Sequence, residues 1–341
     1  MDENDHACCA PGRHPNGEEA PAPESANDGA TDAMVRLGGS FLMGTEDADG
    51  FPQDREGPIR KVDLPPFWID PVAVTVGRFA EFVDATGHRT EAEEVGWSFV
   101  FGAFLPADFE PTRAIAAAPW WRQVFGADWR HPEGPHSDVE GRLDHPVVHV
   151  SWNDAKAFCA WSGTRLPHEA EWEMAARGGL EQARFPWGDE LEPGGEHRMN
   201  VWQGTFPSHN TGADGWLGTC PVDAYEPNGH GLMNTSGNVW EWCAERFDRH
   251  SRAIRGGSYL CHASYCNRYR VAARSFNTPD SSTGNMGFRV ARDVRGPQGS
   301  SQGGMGDAED VTDPYASPLR PGGDGDDRAL DHTRVWTSAR S

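Results

Sequence analysis

Apolar residues recur at helical spacing in three short segments of the chain. In residues 74–87, Phe79, Phe82 and Val83 fall on one side of a helix. Because an apolar stripe with this period buries one helix face against a core, the segment is predicted to form an amphipathic helix.

The two other helical segments carry their own start signals. Residues 151–163 begin with Ser151 and Asn153, either of which can cap the first turn by accepting backbone N–H groups. Residues 166–179 carry Pro167 at their second position, and its fixed φ suits the first turn of a helix. Both segments run into glycine, where helices commonly end.

Short β-branched or alternating runs bounded by glycine and proline predict strands around these helices. The four predicted strands are Gly39–Met43, Pro146–Val150, Ala253–Tyr259 and Gly287–Ala291. Glycine and proline recur every few residues, and long helical periods are scarce. The pattern therefore predicts one α+β domain that is irregular and loop-rich, with little regular secondary structure.

The hydrophobic pattern fades at both ends of the 341-residue chain. Residues 1–33 and 297–341 are rich in Gly, Pro, Ser, Asp and Ala, and they hold few aliphatic side chains. Such segments bury too little apolar surface to offset chain entropy. We therefore predict a disordered acidic N-terminal tail at 1–33, one folded domain at 34–296 and a disordered C-terminal tail at 297–341.

Charge and hydropathy limit the kinds of molecule to which this protein would bind. The formal net charge is −22, which repels nucleic-acid phosphates and anionic lipid and favours a cationic partner, unless it serves solubility alone. No run of about 18 apolar residues exists, and the N-terminus lacks the basic and apolar regions of a secretory signal. We expect a cytoplasmic protein and, since no long apolar stripe demands a partner, a monomer.

Seven cysteines are an odd number, and this is not a short secreted chain, so a disulfide framework is not favoured. Cys261 and Cys266 have the spacing C-x4-C in GGSYLCHASYC, unlike the C-x2-C of thioredoxin-like centres or a four-ligand zinc site. Two thiolates suit linear coordination of a soft ion such as Cu(I), and Arg268 and Arg270 can lower thiol pKa values. On these residues alone, a structural disulfide or two buried thiols remains the alternative.

Eight sequence motifs, spread over residues 38–289, are informative when they are taken together. They are GGSFLMG (38–44), HPVVHVSWNDAKAFCAW (145–161), RLPHEAEWEMAARGG (165–179), FPWGDE (185–190), NVWQGTFPSHNTGADGW (200–216), PVDAYEPNGHGLMNTSGNVWEW (221–242), RGGSYLCHASYCNRYR (255–270) and ARSFNTPDSSTGNMGFR (273–289). Together they resemble the formylglycine-generating enzymes, the oxidases of the sulfatase-modifying factor family. GGSFLMG and GNVWEW occur across a wider superfamily that includes binding proteins, whereas the paired cysteines after GGS single out the oxidases.

The resemblance implies a fold with a C-type-lectin-like core and an oxidoreductase that acts on a sulfur group with O2 as acceptor. Its substrate would be the cysteine of a Cys-x-Pro-x-Arg motif in an unfolded sulfatase, converted to Cα-formylglycine at the expense of a thiol reductant. The implied partner is thus a polypeptide, with no nucleic acid and no membrane. Cys261 and Cys266 would bind Cu(I), where the substrate thiolate joins the metal and O2 is activated.

Further catalytic candidates lie beside the cysteines. Ser258 stands three residues before Cys261 and could hold O2 or a water by hydrogen bonding. Tyr265 and His262 are candidates for handling protons, although a packing role is as good an interpretation for His262. Gly256 and its neighbour Gly257 would let a substrate backbone approach closely.

Two oxygen-rich segments match the two structural Ca²⁺ sites of the family. The implied ligands are Asn200, Val201, Asp214 and Trp216 for the first site, and Asn234, Gly237, Val239 and Glu241 for the second. Calcium accepts backbone carbonyls, so Val, Gly and Trp can be ligands. Without the resemblance, such residues in a glycine-rich loop are ordinary turns.

The arginine of the substrate motif predicts a carboxylate in an otherwise neutral channel. Ser282, Asn285 and Arg274 fall in the matching segment near the cysteines and are the predicted substrate contacts. Cys159 matches a disulfide position of the secretory members, but its expected partner position holds Val290. We therefore predict that Cys159, and likewise Cys220 and Cys243, are buried thiols outside any disulfide.

The N-terminal tail itself contains Cys9-Ala10-Pro11-Gly12-Arg13, which fits the substrate pattern. Chance in a proline-rich tail is one explanation. The other is self-recognition, in which a tethered segment at high effective concentration occupies the groove or is itself oxidised. For the whole chain, the alternative to an oxidase is a non-catalytic lectin-like binding module with Cys261–Cys266 as a structural disulfide.

Overall fold

The computed structural model describes residues 10–14, 17, 19–20 and 33–294 and the strand at 336–338. Over this range the α-helices are α1 (Val76–Thr86), α2 (Glu91–Val95), α3 (Trp152–Ser162) and α4 (Glu169–Ala176). Single 3₁₀ turns lie at Pro52–Asp54, Gly102–Phe104 and Pro193–Gly195. None of the described helices has the length and apolar character needed to cross a bilayer.

The strands are short and group into small sheets. They are β1 (Val35–Met43), β2 (Arg60–Ile69), β3 (Trp97–Phe101), β4 (Arg113–Ile115), β5 (Ala118–Phe125), β6 (Gly204–Thr205), β7 (His209–Asn210), β8 (Trp240–Arg246), β9 (Arg252–Arg255), β10 (Arg274–Asn277), β11 (Met286–Gly287), β12 (Ala291–Asp293) and β13 (Trp336–Ser338). Their order is β1-β2-β12, β10-β9-β8-β11 and β13-β4-β5-β3, with β6 and β7 as a hairpin. The predicted irregular α+β class is confirmed.

Local sequence signals set the starts of α1 and α3, and the start of α3 is as predicted. The Thr75 side chain accepts the Arg78 N–H at the start of α1, and Ser151 rather than Asn153 caps α3 in a capping box. Phe82 packs edge-on against Phe158, with ring centroids 5.6 Å apart. The two helices therefore bury their aromatic faces against each other.

Helix α4 begins later than the sequence suggests. His168 is its N-cap, so Pro167 precedes the helix and does not occupy its first turn. The helix is buried on every side, and Glu169 and Glu173 lie within 3.4 Å and 2.5 Å of the Arg255 guanidinium. These carboxylates tie α4 to β9, the strand that leads into the cysteine segment.

The predicted strands were partly wrong. Gly39–Met43 is confirmed within the longer β1, but Pro146–Val150 is not a strand. His149 has a φ of 59°, which interrupts an extended run, and only Pro146 forms an isolated bridge, to Thr75. The segment is buried as a loop, because single hydrogen bonds from neighbouring segments, and not a strand ladder, satisfy its backbone polar groups.

Two further predicted strands differ from the structure. Strand β9 ends at Arg255 because Gly256 and Gly257 have φ values of 92° and 72°, which β-strands do not use. The predicted strand Gly287–Ala291 is divided between β11, which pairs with β8, and β12, which pairs with β2. The chain thus changes sheets within this short stretch.

Described parts of both predicted tails contact the folded domain. Strand β13 lies inside the predicted C-terminal tail and pairs antiparallel with β4. In the predicted N-terminal tail, Ala10 is 4% exposed and Arg13 8% exposed, and both are hydrogen-bonded to the domain. These described residues gain specific polar contacts that compensate for the scarcity of apolar side chains.

Candidate active site

A tight turn brings Cys261 and Cys266 together. The Cys261 N–H donates to the Ser258 carbonyl (2.9 Å), and the Cys266 N–H donates to the His262 carbonyl (2.8 Å). The two sulfur atoms are 3.3 Å apart, well beyond the roughly 2.05 Å of a disulfide bond. Both side chains are buried, with 2% and 1% exposure. The structure therefore contains a compact pair of thiols.

Burial, followed by the adjacent Cys266, raises the pKa of Cys261 well above its usual value. Arg268 opposes this shift, as predicted, but does not outweigh it; its Nη1 lies 3.8 Å from the Cys266 sulfur. Arg268 is itself bound to Asp54, and burial raises the pKa of Asp54 to about 6. Arg270 forms a bidentate pair with Glu56, so it serves that pair and not the thiols.

Ser258 is fully buried directly beside the pair. Its backbone nitrogen lies 3.4 Å from the Cys261 sulfur, and its hydroxyl accepts a 2.9 Å hydrogen bond from Asn285 Nδ2. Thr283 donates in turn to Asn285 Oδ1 (2.7 Å). This chain of hydrogen bonds fixes the Ser258 side chain, and it gives Asn285, a predicted substrate contact, a role in orienting Ser258.

Gly256 and Gly257, which precede Ser258, have a structural role. A Cβ atom on Gly257 would lie 2.9 Å from the backbone nitrogen of Tyr269. The close approach that the sequence suggested for a substrate is therefore made by the chain's own backbone, which folds the cysteine segment back on itself.

Tyr265 and His262 occupy different environments. The Tyr265 ring stacks on Phe206, with centroids 4.6 Å apart, and its hydroxyl is buried with no hydrogen-bond partner among the described residues. The His262 side chain is half-buried, and its Nδ1 bonds locally to the Ser264 hydroxyl (2.8 Å). Tyr265 therefore has unused hydrogen-bonding capacity near the thiols.

Trp97, Ser98 and Ser282 line a groove that holds an arginine side chain. Arg13 donates from Nη2 to the Ser282 hydroxyl (2.9 Å) and to the Trp97 carbonyl (3.0 Å), and its guanidinium lies 4.8 Å from the centre of the Trp97 ring. The Ser98 hydroxyl lies 2.8 Å from that of Ser282. Of the predicted substrate contacts, Ser282 is thus the one that binds a peptide arginine here.

The groove is acidic around this arginine. Burial lowers the pKa of Arg13, while the charges of Glu91, Asp280 and Asp154 act to raise it. Burial, together with Asp154, raises the pKa of Glu91 to about 7. Three carboxylates therefore act on the Arg13 guanidinium through their charge, although its hydrogen bonds go to backbone carbonyls and the Ser282 hydroxyl. Sequence reasoning missed Glu91 because it missed α2. The run Thr90-x-x-Glu93, a capping box in the structure, was the available signal.

Arg274, the third predicted substrate contact, pairs with a carboxylate of α4. Its guanidinium forms a two-point pair with Glu169, at 2.6 Å from Nε and 2.5 Å from Nη2. The side chain is only 20% exposed, and the pair joins β10 to α4. Its surroundings are those of a fold-stabilising residue.

The first group of expected calcium ligands is brought together. Asp214 accepts the N–H groups of Val201 (3.0 Å) and Trp216 (3.1 Å), and burial raises its pKa. Asn200 donates from its amide to the Gly218 carbonyl (2.8 Å). Because a carboxylate can accept about four hydrogen bonds, Asp214 keeps oxygen lone pairs available to a cation.

The second group fits a cation less well. Both carboxylate oxygens of Glu241 are taken by Arg289 (2.6 and 2.7 Å), and one also accepts the Trp172 indole N–H (2.7 Å). The Asn234 Oδ1 is buried without a hydrogen-bond partner among the described residues. The remaining expected ligands, Gly237 and Val239, could contribute backbone oxygens only. The Glu241 side chain does not fit the role of ligand.

The other described cysteines agree with the sequence prediction. Cys159, Cys220 and Cys243 are buried and free of disulfides. Burial raises the pKa of Cys159 to about 12, and that of Cys220 likewise. They are therefore inert thiols of the core.

Comparison with known proteins shows to which family the chain belongs. Residues 19–294 match the family described as sulfatase-modifying factor enzyme 1-like domain. The chain belongs to this family. A formylglycine-generating enzyme of Thermomonospora curvata is 57% identical over 282 residues, covering 76% of this chain and 93% of that protein.

The family also contains a relative named as inactive. The inactive C-alpha-formylglycine-generating enzyme 2 of Bos taurus is 47% identical, covering 80% of this chain and 92% of that protein. Among solved structures, PvdO from Pseudomonas aeruginosa has a TM-score of 0.56 and 26% identity, covering 76% of this chain and 94% of that one. The fold predicted from the sequence motifs is confirmed.

Proposed function

We propose that this sulfatase-modifying factor family member is a formylglycine-generating enzyme. It would convert the cysteine of a Cys-x-Pro-x-Arg motif in an unfolded sulfatase to Cα-formylglycine. The observation that carries the proposal is the buried thiol pair, with sulfurs 3.3 Å apart, and the groove that binds the Arg13 side chain supports it. The net reaction consumes the substrate thiol, one O2 and two reductant thiols, and it yields the aldehyde, hydrogen sulfide, a disulfide and water.

The donor set of the pair suits Cu(I). Within the described range, no cluster of three or more His, Cys, Asp or Glu side chains could hold a metal, which weighs against a tetrahedral zinc site and suits two-coordinate binding by Cys261 and Cys266. A bound copper ion would supply the one-electron and O2 chemistry that side chains lack. The chain's own residues would orient the substrate cysteine, with Ser258 fixed by Asn285 and Tyr265 offering a hydroxyl for proton transfer.

Structural calcium is proposed for the first ligand group, around Asp214. A divalent ion there would compensate for the buried carboxylate and hold Asn200 and Val201 against the loop that ends at Trp216. At the second group, the pairing of Glu241 with Arg289 supports an internal ion pair in place of the predicted carboxylate ligand.

The function can be tested with the full chain, Cu(I), a thiol reductant and a Cys-x-Pro-x-Arg peptide. Mass spectrometry should find the peptide thiol converted to an aldehyde, with hydrogen sulfide released, and a peptide with Gln in place of Arg should react far more slowly. Because one relative is named as inactive, the same assay should also test the alternative, a binding module without turnover. Peptide binding without product from the copper-loaded protein would establish that alternative.

A further inference from the structure

The segment that occupies the groove belongs to the chain's own N-terminus. Asn277 Nδ2 donates to the carbonyls of Ala10 (3.1 Å) and Pro11 (3.2 Å), and the Arg13 N–H donates to the Ser281 hydroxyl (2.6 Å). Ala10 and Pro11 are buried. The backbone of the segment is therefore bound as a peptide ligand would be, by side chains of β10 and the loop that follows it.

The segment is held at a second point further along. Glu19 reaches Arg246 (2.7 Å) and Arg252 (2.6 Å), and the Ala20 N–H donates to Asn153 Oδ1 (3.1 Å). Asn153 also donates to Glu91 Oε1 (2.8 Å), so this second point adjoins the acidic groups around Arg13. The segment is therefore attached to the domain at two points along its sequence.

The bound residues are the last four positions of a Cys-x-Pro-x-Arg motif. Cys9 precedes Ala10 in the sequence and lies outside the described residues. Ala10 belongs to the same buried apolar cluster as Cys261 and Cys266. The motif therefore has its arginine at Ser282 and its first described residue, Ala10, in the same apolar cluster as the thiol pair.

We infer that Ala10–Arg13 occupies the substrate groove in cis and regulates the enzyme by competing with the sulfatase peptide. The inference rests on the proposed function, since it takes the groove to be the substrate site. A tethered ligand competes at an effective concentration that reaches the millimolar range for short linkers. The segment would keep the site closed until a substrate of sufficient affinity or concentration displaces it.

The contacts are those of a ligand that can leave. Arg13 Nε is buried without a hydrogen-bond partner among the described residues, so the guanidinium is incompletely satisfied. Its surroundings pair it with backbone carbonyls and the Ser282 hydroxyl, at 2.9–3.4 Å. A substrate arginine entering from outside can reproduce the same bonds, so exchange loses little enthalpy.

A binding assay tests the inference without requiring catalysis. The probe is a fluorescein-labelled Ser-x-Pro-x-Arg peptide, in which serine replaces the reactive cysteine, and the readout is fluorescence anisotropy with the full chain. If the segment closes about 90% of the molecules, Arg13→Gln should tighten probe binding about tenfold. Glu19→Gln, which releases the second point of attachment, should tighten it less, and the exposed Arg36→Gln should leave it unchanged.

Equal probe affinity for the wild-type, Arg13→Gln and Glu19→Gln chains would overturn the inference, as would absence of probe binding to any of them. Peptide oxidation is measured separately, so a chain that binds the probe but makes no aldehyde refutes the proposed function alone. After turnover, the mass of tryptic peptide 1–13 reports on Cys9. An aldehyde there, or an intact thiol combined with tighter probe binding by Arg13→Gln, would each support occupancy in cis.

Discussion

The guanidinium of Arg13 donates a 2.9 Å hydrogen bond to the hydroxyl of Ser282, 269 residues further along the chain. Behind Ser282, the Ser98 hydroxyl bonds to His149 Nδ1 (2.8 Å), and His149 Nε2 donates to the Pro132 carbonyl (2.8 Å). The arginine thus rests on a buried polar chain. That chain links the groove to the interior of the domain.

Removing the Ser282 hydroxyl should weaken arginine recognition. Since the same hydroxyl binds Arg13, the test compares Arg13→Gln with the Arg13→Gln/Ser282→Ala double variant. We expect the KM for a Cys-x-Pro-x-Arg peptide to rise about tenfold with kcat nearly unchanged, because one hydrogen bond to a charged group is lost. The exposed Ser40→Ala is the control. An unchanged KM would remove Ser282 from the substrate site.

Cys261→Ala and Cys266→Ala should each abolish turnover and weaken Cu(I) binding. A two-coordinate site loses half of its donors with either thiol. Cys159→Ala, an equally buried thiol outside the site, should leave both properties within about twofold. Copper affinity is measured by competition with a chromophoric Cu(I) chelator. Retained copper affinity in both active-site variants would contradict the assignment.

His149 should make the folded state sensitive to mild acid. Burial lowers its pKa to about 4, so below its unfolded value of 6.5 the unfolded chain binds a proton that the folded chain does not. Stability from this residue is present above pH 6.5 and is lost as the pH falls towards 4, by up to about 3 kcal/mol.

The variant His149→Asn isolates this contribution, because asparagine tolerates the positive φ at this position. Other groups near the imidazole, Glu133, Asp128 and Arg13, are common to both proteins. Urea unfolding at pH 7 and pH 5 should show a smaller loss of stability on acidification for the variant. A parallel loss in both proteins would refute the expectation.

The effect of calcium on the melting temperature should depend on Asp214 and not on Glu241. A chelator should lower the melting temperature of the wild-type protein, and Asp214→Asn should remove that shift. Glu241→Gln should destabilise the fold by about 3 kcal/mol, because it leaves Arg289 buried without its carboxylate, yet it should keep the chelator-induced shift. Differential scanning fluorimetry with and without chelator measures both. Loss of the shift in Glu241→Gln would restore that residue as a ligand.

Two predictions that depended on neighbouring residues succeeded. The cap of α3 at Ser151 and the buried stripe of α1 follow from contacts between residues three or four positions apart. The prediction of Pro146–Val150 as a strand failed because its apolar residues are buried by the surrounding loops, while His149 takes a left-handed conformation to reach Ser98 and Pro132. The sequence indicated that this segment is apolar and buried, but it did not indicate the backbone conformation.

The sequence by itself determined the irregular α+β class, the family motifs and the candidacy of Cys261 and Cys266, because these depend on residue type and short-range spacing. Only the tertiary structure decided that Arg268 and Arg270 pair with Asp54 and Glu56, that Glu241 belongs to Arg289, and that Arg13 lies in the groove. Each of these contacts joins residues far apart in the chain. Which partner a charged side chain meets depends on how the whole fold closes, and no local pattern encodes that choice.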